Sequence, residues 1–431
     1  MKEAIEQLYA LYLATVSLTT DTRKIEPGCI FIALKGENFN GNAFAAEALA
    51  KGARYAIIDD PSFATNDSML LVDDSLSTLQ QLARYHREHF KIPVIGITGS
   101  NGKTTTKELI NAVLSRKYTT LATAGNLNNH IGVPLTILSL KPDTEIAIVE
   151  MGANHEGEIA QLCHIARPGF GLITNIGKAH LEGFGSFEGV IRAKSELYTF
   201  LRESGSPIFI NSDNELLMRL AGKTTAVSYG TRASAYCHGW PRETHPYASL
   251  QWDSPDGLHE INTRLVGGYN FENIMAAICV GQYFGVSISD ISQAIGAYQP
   301  ANNRSQTMET THNHVIMDAY NANPTSMKAA ILNFRQVKSP AKMTIIGDMF
   351  ELGDESHKEH AEIVRLLDES DFETVILVGP RFGSLQIPQH FLTFASSDET
   401  KSWLKENPMK DYTILVKGSH GIHLEELVDA L

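Results

Sequence analysis

The sequence predicts an α/β protein whose mainly parallel sheets are covered by helices. Short apolar strands alternate with helical stretches along most of the 431 residues, a pattern typical of this class. A glycine-rich turn at 96–106 lies between an apolar strand and a stretch with helical apolar spacing. A new series of strands and helices begins near residue 303. Because a chain of this length rarely forms a single core, these observations indicate three domains.

The first predicted domain covers residues 1–82. We expect strands at 29–34 and 53–58, and a helix at 78–90 that leads into the second domain. The second predicted domain covers residues 83–302. Its elements are expected to be strands at 92–95, 145–150, 171–176 and 207–211, a helix at 107–114, and a polar, β-rich stretch at 228–263.

The third predicted domain covers residues 303–431 and follows a linker at 299–303. Its strands are expected at 315–317, 343–346, 374–378 and 412–416.

The composition restricts the possible functions. Apolar residues make up 43% of the chain and charged residues 20%, which indicates an ordered globular protein. The formal charge of −13 argues against a nucleic-acid surface or an anionic membrane surface as partner. No apolar run reaches the length of a membrane span and the N-terminus has no signal-peptide pattern, so we expect a cytoplasmic protein without membrane insertion.

The four cysteines are far apart in the sequence and include no C-x-x-C pair. This spacing favours reduced core residues over a zinc site or a disulfide framework. The cysteines are Cys29, Cys163, Cys237 and Cys279.

The turn at 96–106 reads G-I-T-G-S-N-G-K-T-T-T and predicts a phosphate-binding loop. Its backbone N–H groups and the N-terminus of the following helix would face an anion. Lys103 would reach the outer phosphates of a nucleotide, and the Thr104 hydroxyl would bind Mg²⁺. The match to G-x-x-x-x-G-K-[ST] fails at one position, because Ile97 stands where the first glycine belongs. The alternative is an ordinary glycine turn.

Three further positions could carry chemistry beside such a loop. Glu150 ends an apolar strand, where a carboxylate is costly unless a cation pairs with it, and Mg²⁺ would suit it. The alternative is a Glu that caps the next helix. His180 follows the next strand and could bind metal or phosphate, or it could be structural. Lys194, taken alone, is a solvated lysine on the surface of a helix.

The loop form G-x-x-G-S-N-G-K-T-T resembles the ATP loop of the Mur ligases and of the folylpolyglutamate synthetases, which join a carboxylate to an amine through an acyl phosphate. Downstream motifs follow the Mur ligase order: Glu150-Met151-Gly152-Ala153, Thr174-Asn175-Ile176 with His180, and Lys194. The resemblance covers essentially the whole chain. It implies a small α/β N-terminal domain, a central P-loop-type domain with a mainly parallel sheet and helices on both faces, and a C-terminal Rossmann-like α/β domain.

The resemblance implies an ATP site on the loop and on two later segments. The loop residues are Gly99, Ser100, Asn101, Gly102, Lys103, Thr104 and Thr105. The segment 268–273 is similar to the family's adenine-binding G-x-H-N-x-x-N, but Tyr269 replaces the His, so only Asn270 and Asn273 are transferred. The alternative is that both asparagines cap a helix that starts near Asn273. Asp318 is implied to bind the ribose and Arg304 a phosphate.

The resemblance also implies two Mg²⁺ ions. Thr104 and Glu150 would hold one ion, and His180 with Lys194 would hold the other. In this family a lysine at the place of Lys194 can react with CO₂, and the carbamate so formed is an oxygen ligand of the kind that Mg²⁺ prefers. Lys103, Lys194 and His180 are therefore the implied catalytic residues.

Other motifs indicate the substrates. Thr20-Asp21-Thr22-Arg23 and Lys35-Gly36 resemble the family's UDP-muramyl-peptide-binding segment, although a plain turn is the alternative. Motifs at 123–129, 318–324 and 347–353 with His360 resemble the type of Mur ligase that adds D-Ala-D-Ala to a UDP-muramyl-tripeptide. The implied substrate-side residues in these motifs are Asn126, Asn128, Asn129, Asn321, Asn323, Asp348 and Glu351.

One residue departs from the family pattern. His420 stands where the family usually has Arg after Gly-Ser, and it carries less positive charge at pH 7. This departure leaves open an ATP-binding scaffold that has lost catalysis, and a folylpolyglutamate synthetase is the alternative within the ligase class. We expect a monomer that acts on ATP, the UDP-muramyl-tripeptide and D-Ala-D-Ala.

Overall fold

The computed structural model describes residues 2–36, 38–242 and 245–431. By internal packing the chain divides into two compact units. The first unit comprises residues 1–97, 118–153 and 157–171, and the second comprises residues 98–117, 154–156 and 172–431. Within the described residues, no helix combines the length and the apolar character needed to cross a membrane.

The N-terminal strands are β1 (Leu18–Thr19), β2 (Ile30–Ile32), β3 (Lys35–Gly36), β4 (Phe39–Asn40), β5 (Tyr55–Ile58) and β6 (Met69–Leu71). Four of them form a parallel sheet in the order β1-β2-β5-β6, and β3 pairs with β4 in an antiparallel ribbon. The helices of this region are α1 (Lys2–Leu13), α2 (Ala45–Ala50) and α3 (Ser75–Glu88). Asp74 caps α3 by accepting a hydrogen bond from the Ser77 N–H, which explains why the helix begins three residues before the predicted start.

The second sheet is built from nine strands between residues 94 and 266. They are β7 (Val94–Thr98), β8 (Thr120–Ala122), β9 (Ile146–Glu150), β10 (Phe170–Ile173), β11 (Ile208–Asn211), β12 (Ala226–Gly230), β13 (Cys237–Arg242), β14 (Tyr247–Ser254) and β15 (Gly257–Val266). Their order is β15-β14-β13-β12-β11-β10-β7-β9-β8. The pairs β7–β9, β8–β9, β11–β12 and β12–β13 are parallel, whereas β13, β14 and β15 pair antiparallel.

Eight helices of the described residues accompany these strands. They are α4 (Lys103–Leu114), α5 (Gly132–Leu138), α6 (Glu158–Ala166), α7 (Leu181–Phe184), α8 (Phe187–Glu203), α9 (Glu215–Ala221), α10 (Phe271–Tyr283) and α11 (Ile288–Ala297).

The C-terminal strands are β16 (Gln306–Glu309), β17 (His314–Asp318), β18 (Lys342–Gly347), β19 (Thr374–Val378), β20 (Leu392–Phe394) and β21 (Thr413–Lys417). Their order is β16-β17-β21-β18-β19-β20, and only the β16–β17 pair is antiparallel. The helices are α12 (Pro324–Gln336), α13 (Ser356–Asp368), α14 (Pro380–Gly383) and α15 (Ser397–Glu406).

Both faces of the C-terminal sheet are buried. On β17, Val315 and Met317 pack in one hydrophobic cluster, and Ile316 between them packs in another. On β21, Val416 belongs to the first of these clusters and Leu415 to the second. Because successive side chains of a strand point to opposite faces, helices must cover both sides of this sheet.

The structure confirms the predicted alternation, since every predicted strand region contains an observed strand. The predicted helix start at residue 107 is wrong: α4 begins at Lys103, directly after Gly102. The short edge strands β16 and β20 were not predicted, because their four and three residues are too few to show a clear apolar pattern. Of the predicted β-rich stretch, residues 243–244 lie outside the described residues. All four cysteines are buried and none of them forms a disulfide, as expected.

Candidate active site

The glycines shape the loop between β7 and α4. Gly99 has φ 141° and Gly102 has φ 78°, a backbone region that other residues avoid. A Cβ atom on Gly99 would lie 2.0 Å from Thr174 Oγ1, and one on Gly102 would lie 2.5 Å from Asn273 Oδ1. Both positions therefore require glycine. The strand, turn and helix that a phosphate loop needs are all present, as the sequence predicted.

The segment after β10 holds this loop in place. Asn101 O accepts hydrogen bonds from Thr174 Oγ1 at 2.6 Å and from Asn175 Nδ2 at 3.1 Å. Asn101 N–H donates in return to Asn175 Oδ1 at 3.0 Å. Ser100 Oγ donates to the Gly177 carbonyl and accepts from its N–H, both at 3.0 Å. The Thr174-Asn175 motif thus fixes the backbone of the loop.

Lys103 is the first residue of α4, and its side chain contacts the preceding loop. Its Nζ donates to Gly99 O at 2.7 Å and to Ser100 O at 3.3 Å. These contacts keep a positive charge beside the loop, where an outer phosphate would bind. Thr104, the next residue, is buried in the first turn of α4, and Thr105 follows it half-buried.

The two asparagines of the adenine segment are buried and linked to each other. Asn273 Nδ2 donates to Asn270 Oδ1 at 2.8 Å, and Asn270 Nδ2 donates to Val266 O at 2.8 Å. Thr106 Oγ1 of α4 donates to Asn273 Oδ1 at 3.0 Å. Neither side chain caps α10, so the capping alternative is wrong. The adenine-binding role of both residues stays a prediction.

In the first unit, Glu150 is the last residue of β9 and is 1% exposed. Its Oε1 accepts a hydrogen bond from Asn128 Nδ2 at 2.7 Å, and its N–H donates to Thr123 Oγ1 at 3.0 Å. Asn128 was predicted on the substrate side, and here it orients the candidate metal ligand. The neighbouring Asn129 holds the turn before α5, since its Oδ1 accepts from the Gly132 N–H at 2.9 Å. Asn126 is exposed.

In the second unit, Lys194 is buried, so the interpretation as a solvated surface lysine is wrong. It is 1% exposed, and its Nζ lies 5.3 Å from the centroid of the Phe184 ring. The sequence carried a signal for this burial, because Lys194 lies in the apolar stripe of α8. The buried residues of this stripe are Val190, Ala193, Lys194, Leu197, Tyr198 and Leu201.

His180 contacts a residue that the sequence placed elsewhere. Its Nδ1 contacts the Oε2 atom of Glu351, which was predicted on the dipeptide side. The hydrogen bond from His180 lowers the pKa of Glu351. Both residues have left-handed backbones, with φ of 52° and 60°, which indicates a constrained pair. With Nδ1 engaged, His180 would use Nε2 to bind a metal ion.

Glu150 and Thr104 offer oxygen atoms, which are the donor atoms that a hard cation such as Mg²⁺ prefers. Glu150 offers a buried carboxylate in the first unit, and Thr104 offers a hydroxyl at the start of α4 in the second. Among the residues that the structure describes, no three His, Cys, Asp or Glu side chains cluster as a metal site. Each of these donors would therefore need further oxygens to bind Mg²⁺, from the nucleotide, from water or from a carbamate on Lys194.

The C-terminal part contains an ion pair and a stack of side chains that involve predicted site residues. Asp318 Oδ2 lies 2.6 Å from Lys417 Nζ, and its Oδ1 accepts from the Ser305 N–H at 3.2 Å. The Arg304 guanidinium lies 3.8 Å from the Tyr320 ring centroid. Tyr320 stacks in turn on His420, the residue that departs from the family pattern, with ring centroids 5.8 Å apart. The sequence reasoning missed Lys417, whose Lys-Gly-Ser setting was the available signal.

Asn323 links the C-terminal part to the phosphate loop. Its Oδ1 accepts from the Ser326 N–H at 2.9 Å and caps α12, while its Nδ2 donates to Asn101 Oδ1 at 2.7 Å. Asn321 is exposed, and its Oδ1 accepts from the Ala322 N–H. The amide that was predicted for the dipeptide thus contacts the loop predicted for ATP.

Asp348 is bound to the backbone at the start of α14. It is completely buried, and its two oxygens accept from the backbone N–H groups of Arg381 at 2.9 Å and Phe382 at 3.0 Å. This carboxylate fixes the start of α14 through its two backbone donors, and its place on the dipeptide side stays a prediction. A nearby ion pair, Lys178 Nζ to Glu359 Oε1 at 2.7 Å, holds the segment after β10 against α13.

The predicted uridine-nucleotide motif forms a capped turn in the first unit. Asp21 Oδ1 accepts from the Arg23 N–H at 2.9 Å, and the guanidinium of Arg23 contacts both carboxylate oxygens. These bonds from Arg23 lower the pKa of Asp21 to about 2. Thr20 and Thr22 flank Asp21 and are half-buried. The Arg23 side chain is 86% exposed and accessible to an anion.

The second uridine-nucleotide motif lies on the ribbon. Lys35 Nζ lies 2.9 Å from Asp59 Oδ1, and Gly36 follows it on β3. Asp59 also accepts from Asn42 Nδ2 at 2.8 Å. The sequence reasoning missed Asp59 as the partner of this lysine.

The contact between Asn323 and Asn101 can be tested with two substitutions. Asn323→Asp keeps an oxygen that caps α12 but removes the Nδ2 donor to Asn101. We expect a melting temperature near that of the wild type and a kcat lowered about tenfold, as for one lost aligned hydrogen bond. Asn323→Ala loses the cap as well and should destabilise the protein by about 1 kcal/mol. Wild-type kinetics for Asn323→Asp would show that the contact has no role in the reaction.

His360 predicts a pH dependence of stability. The Met349 N–H donates to His360 Nε2 at 3.0 Å, so the proton is on Nδ1, which donates to Ser356 O at 2.7 Å. Burial lowers the pKa of this fully buried imidazole. The unfolded chain therefore binds more protons than the folded chain as the pH falls below the ordinary histidine value of about 6.5, and stability falls with it.

The measurement is the unfolding midpoint of the wild type and of His360→Gln at several values between about pH 7.5 and pH 5. We expect a steeper loss of stability in the wild type, by at most about 1.4 kcal/mol per pH unit for one proton. Parallel pH profiles for the two proteins would contradict this interpretation of His360.

Three family models match the chain in order. The Mur ligase family catalytic domain matches residues 16–87, the Mur ligase middle domain residues 97–281, and the Mur ligase glutamate ligase domain residues 303–420. The glycine loop, Glu150 and Lys194 all lie within the residues that the middle-domain model matches. The chain belongs to the Mur ligase family.

Comparison with individual proteins gives more detail than the family models. The chain is 38% identical to the UDP-N-acetylmuramoyl-tripeptide–D-alanyl-D-alanine ligase of Bacillus subtilis, over 96% of this chain and 92% of the relative. The crystal structure of MurF from Acinetobacter baumannii matches with a TM-score of 0.85 and 33% identity, over 96% of this chain and 92% of that one. MurF ligase from Thermotoga maritima in complex with ADP matches with a TM-score of 0.84 and 27% identity, over 97% of both chains.

Proposed function

We propose that this protein is an ATP-dependent ligase that joins D-alanyl-D-alanine to UDP-N-acetylmuramoyl-tripeptide and forms the UDP-MurNAc-pentapeptide precursor of peptidoglycan. The observation that carries the proposal is the full-length similarity to ligases of that name, at 38% identity over 96% of the chain. The glycine-restricted loop supports it, because both loop glycines lie where no other residue fits. The Thermotoga maritima ligase was solved with ADP, which supports ATP as the nucleotide.

The reaction has two steps. A carboxylate oxygen of the tripeptide attacks the γ-phosphorus of ATP, ADP leaves, and an acyl phosphate forms. The amine of D-Ala-D-Ala then attacks the acyl carbon, phosphate leaves, and the nitrogen loses a proton as the amide forms. Activation is needed because a carboxylate is a poor electrophile. Catalysis of phosphoryl transfer consists mainly of positioning and electrostatic stabilisation.

The residues of the loop would provide this positioning. Lys103, held by Gly99 O and Ser100 O, would place its charge against the transferring phosphate. Asn270 and Asn273 would bind the adenine, Asp318 the ribose and Arg304 a phosphate. Two Mg²⁺ ions would neutralise phosphate charge, one held by Thr104 and Glu150 and the other by His180 and a carbamate on Lys194.

The three domains would divide the substrates. Residues 1–82 would bind the uridine nucleotide through the exposed Arg23 and through Lys35, residues 83–302 would bind ATP, and residues 303–431 would help bind the dipeptide. Of the residues predicted for the dipeptide, the exposed Asn321 can contact it directly. Asp348, Asn323 and Glu351 would act by holding the surrounding loops. We further propose a cytoplasmic monomer, since the chain is acidic and its substrates are small molecules.

The proposal is tested by phosphate release from ATP. We expect release only when UDP-muramyl-tripeptide and D-Ala-D-Ala are both present, with formation of the pentapeptide by mass. A parallel reaction with a folate and glutamate is the control for the folylpolyglutamate synthetase alternative. Release with the folate pair alone would reassign the substrate, and no release with either pair would favour a scaffold without catalysis.

The proposed carbamate on Lys194 predicts a carbamate resonance in the wild type and a partial rescue of the Lys194→Ala variant by carboxylic acids. The wild type, incubated with ¹³C-bicarbonate, should show a carbamate resonance that is missing in Lys194→Ala. We expect Lys194→Ala to lose activity by at least about 100-fold. Because a carboxylate can replace part of the missing oxygen ligand, short carboxylic acids should restore some of this lost activity. Lys223→Ala, which changes an exposed lysine, is the control. A fully active Lys194→Ala variant without loss of the resonance would contradict the carbamate.

A further inference from the structure

A cavity of about 540 Å³ lies in the first unit and is unrelated to any residue of the proposed reaction. Its volume is in the range of small-molecule pockets. Five aromatic side chains form much of its wall. They are Tyr9 and Tyr12 of α1, His86 of α3, and His89 and Phe90, which follow α3. Two lysines, Lys91 and Lys141, also line it, and none of the described aspartates and glutamates does.

The cavity lies at the end of the strands opposite to Glu150. Its lining residue Ile92 leads into β7, and its lining residue Thr144 leads into β9, which pairs with β7 in parallel. Glu150 ends β9 six residues after Thr144, about 20 Å along the strand direction. In the same way, Thr15 of the cavity precedes β1, whereas the predicted uridine-nucleotide motif at 20–23 follows it. The cavity is therefore separate from the substrate positions of this unit.

The wall is apolar, aromatic and fixed by hydrogen bonds. Tyr9 stacks near Tyr12, with ring centroids 6.1 Å apart and planes inclined by 27°. His86 is buried, with Nδ1 3.1 Å from Tyr9 Oη and Nε2 3.1 Å from Leu140 O. Two exposed apolar side chains, Leu13 and Val16, extend the wall towards solvent. Such a surface suits a flat ring, which can stack on or pack edge-on against the aromatic groups.

The charge of the cavity is unlike that of the whole chain. The protein has a formal charge of −13, yet the charged side chains in this lining are the two lysines. Within the part of the chain that the structure describes, neither Lys91 nor Lys141 forms an ion pair with a carboxylate. Asp143 is close in sequence but is not part of the lining. Two lysines without acidic partners at an aromatic cavity favour an anionic ligand.

We propose that this cavity is a second ligand site, which binds a small planar aromatic anion by stacking on its tyrosine and histidine wall and by pairing with Lys91 and Lys141. The ring occupies the aromatic wall and the anionic group faces the two ammonium groups. The site is independent of the ligase reaction, so a ligand can occupy it while nucleotides are bound.

The test uses the full chain, with 2-naphthoate as the anionic probe and its neutral isostere 2-naphthamide, both titrated by calorimetry. We expect saturable one-to-one binding of 2-naphthoate, with affinity weakened at least about tenfold in Lys91→Glu/Lys141→Glu and similarly weak binding of 2-naphthamide to the wild type. Lys405→Glu/Lys410→Glu changes the net charge equally at two exposed lysines and should bind as the wild type does. Melting temperatures confirm that both double variants are folded.

A repeat titration with saturating ADP and UDP separates this site from the nucleotide sites. Unchanged affinity supports the proposal, whereas displacement by either nucleotide shows that the probe binds a reaction site and overturns it. Absence of saturable binding up to the solubility limit of 2-naphthoate also overturns it. So does equal affinity in Lys91→Glu/Lys141→Glu and the wild type.

Discussion

The backbone of Asn101 is the constraint on which the candidate active site depends. A loop that binds phosphate must hold a fixed shape, so that the N–H groups facing the anion keep their direction. Here Thr174 and Asn175 hold the loop through Asn101 O and N, and Asn323 holds it through the Asn101 side chain. Because Gly99 has no Cβ atom, Thr174 can approach the loop as closely as it does, and Gly102 allows the same for Asn273.

The same segment connects the loop to the C-terminal part. Residues 174–177 contact the loop, and the residues that follow carry the Lys178–Glu359 and His180–Glu351 pairs. A displacement of the C-terminal contacts would therefore reach the phosphate loop through one short stretch of chain. This arrangement couples the groups proposed for the dipeptide to those proposed for ATP, which suits a reaction in which the second step must follow the first without loss of the acyl phosphate.

Local patterns predicted the strands, the glycine loop and the order of the motifs, because glycine spacing and apolar periodicity act over a few residues. Burial and distant partners were not predictable in this way. Taken without the family resemblance, Lys194 is interpreted as a surface lysine, whereas its place in the apolar stripe of α8 indicates burial. Asn128 was assigned to substrate, but it contacts Glu150, 22 residues away. Asp318 pairs with Lys417 across 99 residues, which no local pattern specifies.

The central claim is that the contacts of Asn175 with Asn101 hold the ATP loop in its binding conformation. The most direct measurement is the Kd of ATP for the wild type and for Asn175→Ala, with the exposed Asn407→Ala as control. The substitution removes two hydrogen bonds to the loop backbone, each worth about 1 kcal/mol, so the Kd should rise about tenfold or more while the control is unchanged. An ATP affinity of Asn175→Ala equal to that of the wild type would contradict the account.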